Sequence, residues 1–351
     1  MILDPILDIF RGKAVTIPPL DGAFRPNTKL DDAPAFAELS EADNLLTAGD
    51  RLLASSGNAV FALAADGTVT VVETFQSRVT ALALSPSGEL TVGLETGKLL
   101  TSGKEVALPA DINCITALAY GQDGTLWLVN GSARHAPSQW AADLMEKGAS
   151  GSLWKREPAG GAFRQVAGGL AFPYGLHPVG TDIIVAESWR HQLVRHDGAS
   201  GAATTVLAHL PGYPARMAPA AGGGAWLALF APRNRLIEFI LQEVHYREDM
   251  LREVSPDCWI APALASNRSF LEPLQCGGIR TMGIHKPWSP SRSYGLVARL
   301  DADMRPRFSI HSRANGTRHG ICSVAERNGR LFVASRGGDC VLSLDAATGG
   351  F

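Results

Sequence analysis

The amino-acid sequence predicts an all-β protein, a six-bladed β-propeller with a partly helical insertion before the last blade. Three observations lead to this fold. A strand–turn–strand unit recurs along the chain, the turn glycines are spaced like propeller blades, and the apolar residues of each unit alternate as they do in strands. The chain has 351 residues and a formal net charge of −2, and 46% of its residues are apolar. This composition is typical of a folded globular chain and argues against a basic nucleic-acid-binding protein.

The recurring unit is an alternating apolar stretch, a glycine turn, and a short apolar run such as TLWLV or RLFVA. This pattern is typical of two antiparallel strands joined by a tight turn. Six copies occur along the chain, at 40–56, 78–94, 114–130, 172–188, 213–229 and 319–335. Each is followed by a further apolar pair that fits the two outer strands of a blade. We therefore predict one domain, residues 1–351, in which six four-stranded blades surround a central channel.

The turn glycines set the period of the repeat. They lie at Gly49, Gly88, Gly124, Gly180, Gly223 and Gly329, and successive spacings are 39, 36, 56, 43 and 106 residues. Most of these values are close to the length of one propeller blade. The last interval is more than twice as long and predicts an insertion over residues 233–293. Helically spaced apolar residues within it predict a helix that covers one mouth of the channel as a lid. A second, shorter helical insertion is predicted over Trp140–Gly148.

The N-terminal segment, residues 1–38, is predicted to hold a helix and the strand that closes the ring. Apolar residues from Ile2 to Phe10 share one helical face, and this helix is a candidate surface for homo-oligomer formation. We expect the last blade to pair N-terminal and C-terminal segments, because an open sheet edge invites aggregation. Lys13–Pro18 is the predicted closing strand.

The sequence also limits location and chemistry. It contains no apolar run long enough to cross a membrane, and Asp4 and Asp8 occupy positions where a signal peptide would be basic. We therefore expect a cytoplasmic protein that binds neither membrane nor nucleic acid. The five cysteines include no CxxC pair and are predicted to be free thiols. No HExxH, GxSxG or complete phosphate-binding loop is present, so any chemistry must come from residues that successive blades contribute to the channel mouth.

Four stretches together resemble the strictosidine synthase-like family, a branch of the six-bladed propellers that also include paraoxonases and senescence-marker/gluconolactonase enzymes. They are Ala141–Pro158, Phe172–His196, Leu210–Met217 and Ser293–Ser335. The resemblance implies a small-molecule enzyme, and we expect hydrolysis of an ester or lactone in the channel. Alternatives are a C–N or C–C bond-forming enzyme or lyase, as the family name implies, and a propeller that only binds a small molecule. The family's condensing glutamate falls on Cys322, which argues against condensation because a thiol is a poor substitute for a carboxylate proton shuttle.

The resemblance also implies a calcium ion at the channel centre, where it would polarise the substrate carbonyl. Glu41 matches the acidic ligand of the first blade and is also a candidate catalytic residue, and Asn130 matches a ligand that precedes the short helix. The ligand positions of blades four and five hold Tyr174 and Ala215–Arg216, so half of the ligand set is lost. Arg216 would bring a positive charge close to the metal position, and it is the candidate electrophile if the protein works without metal.

Other channel candidates have both a functional and a structural interpretation. His319 precedes the last inner strand and is a candidate acid or base, or a loop histidine. Cys322 is a candidate nucleophile only if a base lowers its pKa, and otherwise a buried thiol. Tyr174, Glu187 and His177 are candidate substrate-binding residues, with packing or ion pairing as the structural alternatives. We expect Glu41, Asn130, Tyr174, Arg216, His319 and Cys322 to meet in one cavity.

Overall fold

A computed structural model describes residues 16–266, 268–269, 272, 280–281, 284–285 and 291–347. Six four-stranded antiparallel sheets form the blades. The first strands of the blades contact one another in cyclic order, and the last of them contacts the first, which closes the ring around a channel. The six-bladed propeller predicted from the glycine period is confirmed.

The blades follow the predicted repeat. In blades 1 to 3 the strands are, from the channel outward, Leu45–Ala48, Arg51–Ser56, Ala59–Leu63, Val69–Thr74; Val79–Leu84, Leu90–Leu94, Leu99–Thr101, Lys104–Val106; and Ile115–Tyr120, Leu126–Asn130, Gly151–Arg156, Arg164–Leu170. In blades 4 to 6 they are Pro173–Val179, Asp182–Glu187, Gln192–His196, Ala203–Leu207; Gly212–Pro219, Ala225–Pro232, Leu296–Leu300, Pro306–His311; and Ile321–Arg327, Arg330–Ser335, Cys340–Asp345, Ala35–Glu38. The two inner strands of each blade are therefore the predicted strand–turn–strand unit.

Blade 6 closes the ring with the N-terminal segment, as expected, but with a different strand. Ala35–Glu38 pairs antiparallel with Cys340–Asp345. The predicted strand Lys13–Pro18 is wrong where it can be judged, because residues 16–18 form no strand. The predicted N-terminal helix lies outside the described residues. The true closing strand is only four residues long, which gave the sequence pattern little to detect.

Both insertions lie within a blade, between its second and third strands, and the longer one does not lie between two blades as the repeat pattern predicted. Residues 233–295 leave blade 5 after its second strand and return to form its third, and residues 131–150 do the same in blade 3. The long predicted helix is two helices, Arg235–Ile240 and Val244–Glu253, and Asn234 caps the first through its side chain. Trp140–Met145 is helical as predicted. Shorter elements are Gly22–Phe24, Lys29–Asp32, Pro137–Gln139, Pro256–Cys258, Arg280–Thr281 and Ile284–His285.

The core lies between neighbouring blades, because both faces of each inner sheet are covered. Second strands are therefore rich in buried apolar residues, and Ala225–Ala231 is buried throughout. Trp127 and Leu153 of blade 3 pack with Leu176 and Ile183 of blade 4. None of the helices in the described part of the chain is long and apolar enough to span a membrane.

Candidate functional site

The centre of the channel is occupied by the side chain of Arg216, which comes from the first strand of blade 5. Its Nη1 donates to Asp43 Oδ1 at 2.6 Å and lies 3.5 Å from the carbonyl oxygen of Cys322. Its Nη2 donates to the carbonyl oxygens of Thr80 at 2.5 Å and Thr116 at 3.2 Å. The guanidinium therefore contacts acceptors from blades 2, 3 and 6 and from the loop that leads into blade 1.

Blade 4 completes this ring. The guanidinium carbon lies 4.7 Å from the ring centroid of Tyr174, a cation–π contact. One residue thus connects all six blades. We call Arg216 with Asp43, Thr80, Thr116, Tyr174 and Cys322 the hub.

The hub acceptors are available because the inner strands bulge at equivalent places. Pairing shifts register at Thr80, Thr116, Tyr174 and Cys322, each the second residue of its strand. A bulge leaves a residue unpaired in the ladder and turns its backbone away. The carbonyl groups of three of these residues then point to the channel axis, where Arg216 satisfies them.

The hub is stabilised by the ion pair between Arg216 and Asp43. Burial by itself lowers the pKa of the Arg216 guanidinium, but the nearby Asp43 carboxylate outweighs this and leaves the pKa raised. Asp43 is itself 5% exposed and also faces Arg336, whose Nη1 lies 3.5 Å from Asp43 Oδ2. Arg216 is thus a permanent buried cation whose Nη donors are directed at protein acceptors.

A pocket opens above the hub, between the channel and the two insertions. One wall is aromatic and the other is charged. The lining residues are Asp43, Arg78, Thr80, Glu95, Thr116, Pro137, Ser138, Trp140, Phe172, Tyr174, Arg216, Phe230, Leu264 and Arg336. The insertion contributes Leu264 to this lining, whereas the helices Arg235–Ile240 and Val244–Glu253, predicted to cover the mouth as a lid, contribute no residue to it. A ligand here would meet an apolar surface on one side and several charged groups on the other.

Two charged groups of the pocket have hydrogen-bonding capacity left. Arg336 makes only long ion pairs, at 3.5 Å to Asp43 and 3.9 Å to Glu41, and its Nε has no partner within the described residues. Glu95 Oε1 accepts from the backbone N–H of Ser138 at 3.0 Å, whereas its Oε2 is buried with no partner in the same part of the chain. Buried polar atoms without partners are rare in proteins, and these two, Arg336 Nε and Glu95 Oε2, belong to residues that line the same pocket.

The other end of the channel is a separate cavity. Its lining includes Leu82, Ala117, Leu176 and His177, and Arg216 borders both this cavity and the pocket. Arg216 thus divides the channel in two. Burial lowers the pKa of His177 to about 4, so its imidazole is neutral at physiological pH. Because His177 lines this second cavity, it is separated by Arg216 from the pocket that contains Arg336.

Both residues that match calcium ligands, Glu41 and Asn130, have other partners in the structure. Glu41 lies at the rim, where its carboxylate is 2.7 Å from Arg78 and remains half-exposed. Asn130 is fully buried, and its Oδ1 accepts from the backbone N–H groups of Asn113 and Cys114. Asn130 thus stabilises its own turn. The carboxylate at the centre is Asp43, two residues beyond Glu41.

The predicted cavity of six residues is only partly formed. Tyr174 and Arg216 line the pocket, and Cys322 reaches the hub through its carbonyl group. His319 lies in a different surface depression, and its Nδ1 is 2.7 Å from Ser293 Oγ. Glu187, predicted to bind substrate, is buried and bonded to Arg190 and to the backbone N–H of Ala171.

The Cys322 thiol is poorly suited to act as a nucleophile. It is fully buried, its sulfur donates to the carbonyl oxygen of Gly320, and burial raises its pKa to about 12. Among the described cysteines, Cys114, Cys258, Cys322 and Cys340 are all free thiols, as predicted.

The residues of the centre do not fit a bound calcium ion. The oxygens on the axis, from Asp43 and the carbonyl groups of Thr80 and Thr116, already receive hydrogen bonds from Arg216. A divalent cation would have to share this position with a guanidinium. Within the described residues, no three His, Cys, Asp or Glu side chains cluster as metal ligands.

Sequence reasoning missed Asp43, Arg78, Thr80, Glu95, Thr116 and Arg336. A signal existed for the two threonines, because Thr80 and Thr116 open the same T-A-L-A stretch in consecutive repeats. No comparable signal marks Arg336, which follows the second strand of the last blade. Its role depends on ring closure, which brings it opposite Asp43.

Comparison with known proteins gives the same fold. A gluconolactonase from Xanthomonas campestris superposes with a TM-score of 0.58 at 16% identity, covering 91% of each chain. A second solved structure, named as a gluconolactonase candidate, gives 0.55 at 13% identity and covers 89% of this chain and 91% of its own. These likenesses show the fold of this chain, a six-bladed β-propeller.

No protein-family model matches the sequence. Among curated proteins, the adipocyte plasma membrane-associated protein of Danio rerio is 24% identical over 326 residues, covering 80% of this chain and 76% of that protein.

Proposed function

We propose that this protein is a small-molecule hydrolase that cleaves an ester or lactone in the pocket above the hub. The observation that carries the proposal is the pairing of Arg336 and Glu95 in one pocket, each with an unsatisfied polar atom. Hydrolysis needs a cationic donor for the carbonyl oxygen and a base for water, and these two side chains are of those types. The fold shared with a gluconolactonase is consistent with this activity.

The residues divide the reaction between them. The aromatic wall of Trp140, Phe172 and Phe230 binds the apolar body of the substrate. Arg336 donates to the carbonyl oxygen and stabilises the negative charge that develops there. Glu95 takes a proton from water as the water oxygen bonds to the carbonyl carbon. The C–O bond then breaks, and the proton passes to the leaving alkoxide, which gives a carboxylic acid and an alcohol.

Arg216 does not supply the electrophile in this scheme. Its Nη donors are directed at Asp43 and at backbone carbonyl groups, so it has little left for a substrate. Its role is to fix the floor of the pocket. Arg336, held by longer ion pairs, takes the part that the sequence suggested for Arg216.

Membership of the strictosidine synthase-like group remains part of the proposal, but condensation is disfavoured. The family glutamate position holds Cys322, whose thiol is buried and bonded to Gly320. A carboxylate proton shuttle is therefore absent from that position. A propeller that only binds its ligand would differ from the proposed enzyme in showing affinity without turnover.

The test is hydrolysis of a panel of lactones and aryl esters. Arg336→Gln is expected to lower kcat about 10²–10³-fold, because it removes the donor for the oxyanion. Glu95→Gln is expected to lower kcat by about 10²–10⁴-fold, because it removes the base. Matched controls are Arg195→Gln and Glu105→Gln, which remove half-exposed charged side chains outside the pocket and should leave kcat unchanged.

The outcomes separate the alternatives. Binding of panel compounds without turnover would identify a binding propeller. Turnover that survives both pocket substitutions would place the active site elsewhere.

A further inference from the structure

We infer that the centre of the propeller is a cation site whose occupant is the chain's own Arg216 guanidinium, and that removing this side chain creates a binding site for a free guanidinium-like cation. The inference concerns the hub and is independent of the proposed hydrolysis in the pocket above it. It also explains why the residues of the centre do not fit calcium.

The first argument is the chemistry of the acceptors. One carboxylate, from Asp43, and the carbonyl oxygens of Thr80, Thr116 and Cys322 surround the guanidinium nitrogens. Carboxylate and backbone carbonyl oxygens are the donor types that hard cations prefer. The hub thus has the oxygen ligands of a cation site, contributed from separate blades, while a side chain supplies the charge.

The second argument is the source of these acceptors. The carbonyl groups are exposed to the axis by bulges at the second residue of three inner strands. Without a cation they would point at one another and at the Asp43 carboxylate. The Asp43 carboxylate would keep only its long pair with Arg336, and several buried carbonyl groups would be unpaired, which is costly, so the bulged geometry favours a cationic donor at the centre.

The third argument concerns the kind of cation. Arg336 lies 3.5 Å from the same carboxylate and adds a positive charge beside the site. Asp43 carries a single negative charge that it already shares with Arg336, so a divalent ion at the centre would be balanced less well than a monovalent one. The Tyr174 ring provides a flat face at 4.7 Å from the guanidinium carbon. A planar monovalent cation fits these features better than a divalent metal does.

The experiment is chemical rescue of Arg216→Ala, followed by thermal unfolding. The variant should melt at a lower temperature than wild type. Guanidinium chloride at low millimolar concentration, far below denaturing levels, should raise the melting temperature saturably, because a ligand that binds only the folded state stabilises it. Calcium chloride should rescue less, and sodium chloride at equal ionic strength should not rescue.

Matched variants keep the test decisive. Arg216→Ala combined with Asp43→Asn should lose the rescue, since the carboxylate is gone, and wild type should show no saturable rise. Should Arg216→Ala not accumulate as folded protein, Arg216→Gln can be used instead. It also removes the positive charge but retains more of the side-chain volume. Absence of rescue in the folded variant, or equal rescue in wild type or in the double variant, would overturn the inference.

The readout also separates this inference from the proposed function. Rescue of the melting temperature does not require a substrate. Loss of turnover in Arg336→Gln does not require a cation site at Arg216. Either result can therefore fail without the other.

Discussion

Asp43 and Arg216 lie 173 residues apart in the chain, yet Asp43 Oδ1 is 2.6 Å from Nη1 of Arg216. Both side chains are buried, with 5% and 8% of their surfaces exposed. The pair joins the loop before blade 1 to blade 5, two positions away in the ring. This ion pair therefore stabilises the packing of two blades that are not neighbours in the ring.

Asp43→Asn should be strongly destabilising. The amide keeps the shape of the side chain but leaves Arg216 and Arg336 without their shared negative charge. Removing one partner of a buried ion pair typically costs about 3–5 kcal/mol. Urea denaturation should show this loss, and Asp249→Asn, which breaks an exposed pair with Arg252, should cost at most about 1 kcal/mol. A near-neutral effect at Asp43 would show that the hub does not depend on this charge.

Ring closure can be tested by two alanines of the closing strand. Ala37 is buried and pairs with Val341, while Ala35 pairs with Leu342 and is exposed. Ala37→Asp would bury an unpaired carboxylate between the terminal strands and should cost on the order of 3 kcal/mol or more. Ala35→Asp should change stability by about 0.5 kcal/mol or less. Equal melting temperatures for the two variants would contradict the assigned closing strand.

Stability should fall in mild acid because buried histidines resist protonation. Burial lowers the pKa of His177, and likewise of His311, to about 4. The unfolded chain binds these protons near pH 6.5, whereas the folded chain does not, so stability is full above pH 6.5 and declines as pH falls toward 4.

For His177 alone this amounts to roughly 2 kcal/mol at pH 5. His177→Gln should therefore reduce the difference between urea midpoints at pH 7 and pH 5. His209→Gln, at an exposed loop position, serves as control. A pH dependence that is identical in His177→Gln and wild type would contradict the assignment.

Thiol reactivity should separate buried from exposed cysteines. Burial raises the pKa values of Cys114 and Cys322 to about 12 and that of Cys340 to about 11, so few thiolates form at pH 8. Iodoacetamide followed by peptide mapping should find Cys258 alkylated in the folded protein and the other three only after unfolding. Cys322→Ser should retain turnover if the pocket is catalytic, and rapid native labelling of Cys322 would contradict its burial.

The repeat could be predicted from sequence because each blade contains the same local signal. The glycine turns and alternating apolar residues of Arg78–Leu94 and Cys114–Asn130 arise from neighbouring strands, so spacing alone reveals them. The closing strand could not be found in this way. Ala35–Glu38 is short, and its partner Cys340–Asp345 is supplied by the opposite end of the chain.

The site was harder to predict because its residues come from segments that are distant in the chain and meet only in the folded ring. Sequence placed Tyr174 and Arg216 at the channel, since both replace ligands at positions that a family resemblance marks. It selected Glu41 where the structure uses Asp43, because both acids precede the same strand, Leu45–Ala48, and the sequence alone does not show which of them faces the channel axis. Arg336 becomes part of the pocket only after the ring has closed.

The shared sixth blade has a consequence for how the protein is made. Ala35–Glu38 leaves the ribosome before any blade, and its partner Cys340–Asp345 leaves after all the others. At about 5–20 residues per second, the closing strand waits on the order of tens of seconds for that partner. Until the sixth blade is synthesised the ring cannot close, and Arg216 lacks the acceptor from Cys322. Formation of the sixth blade thus completes both the ring and the set of acceptors around its central guanidinium.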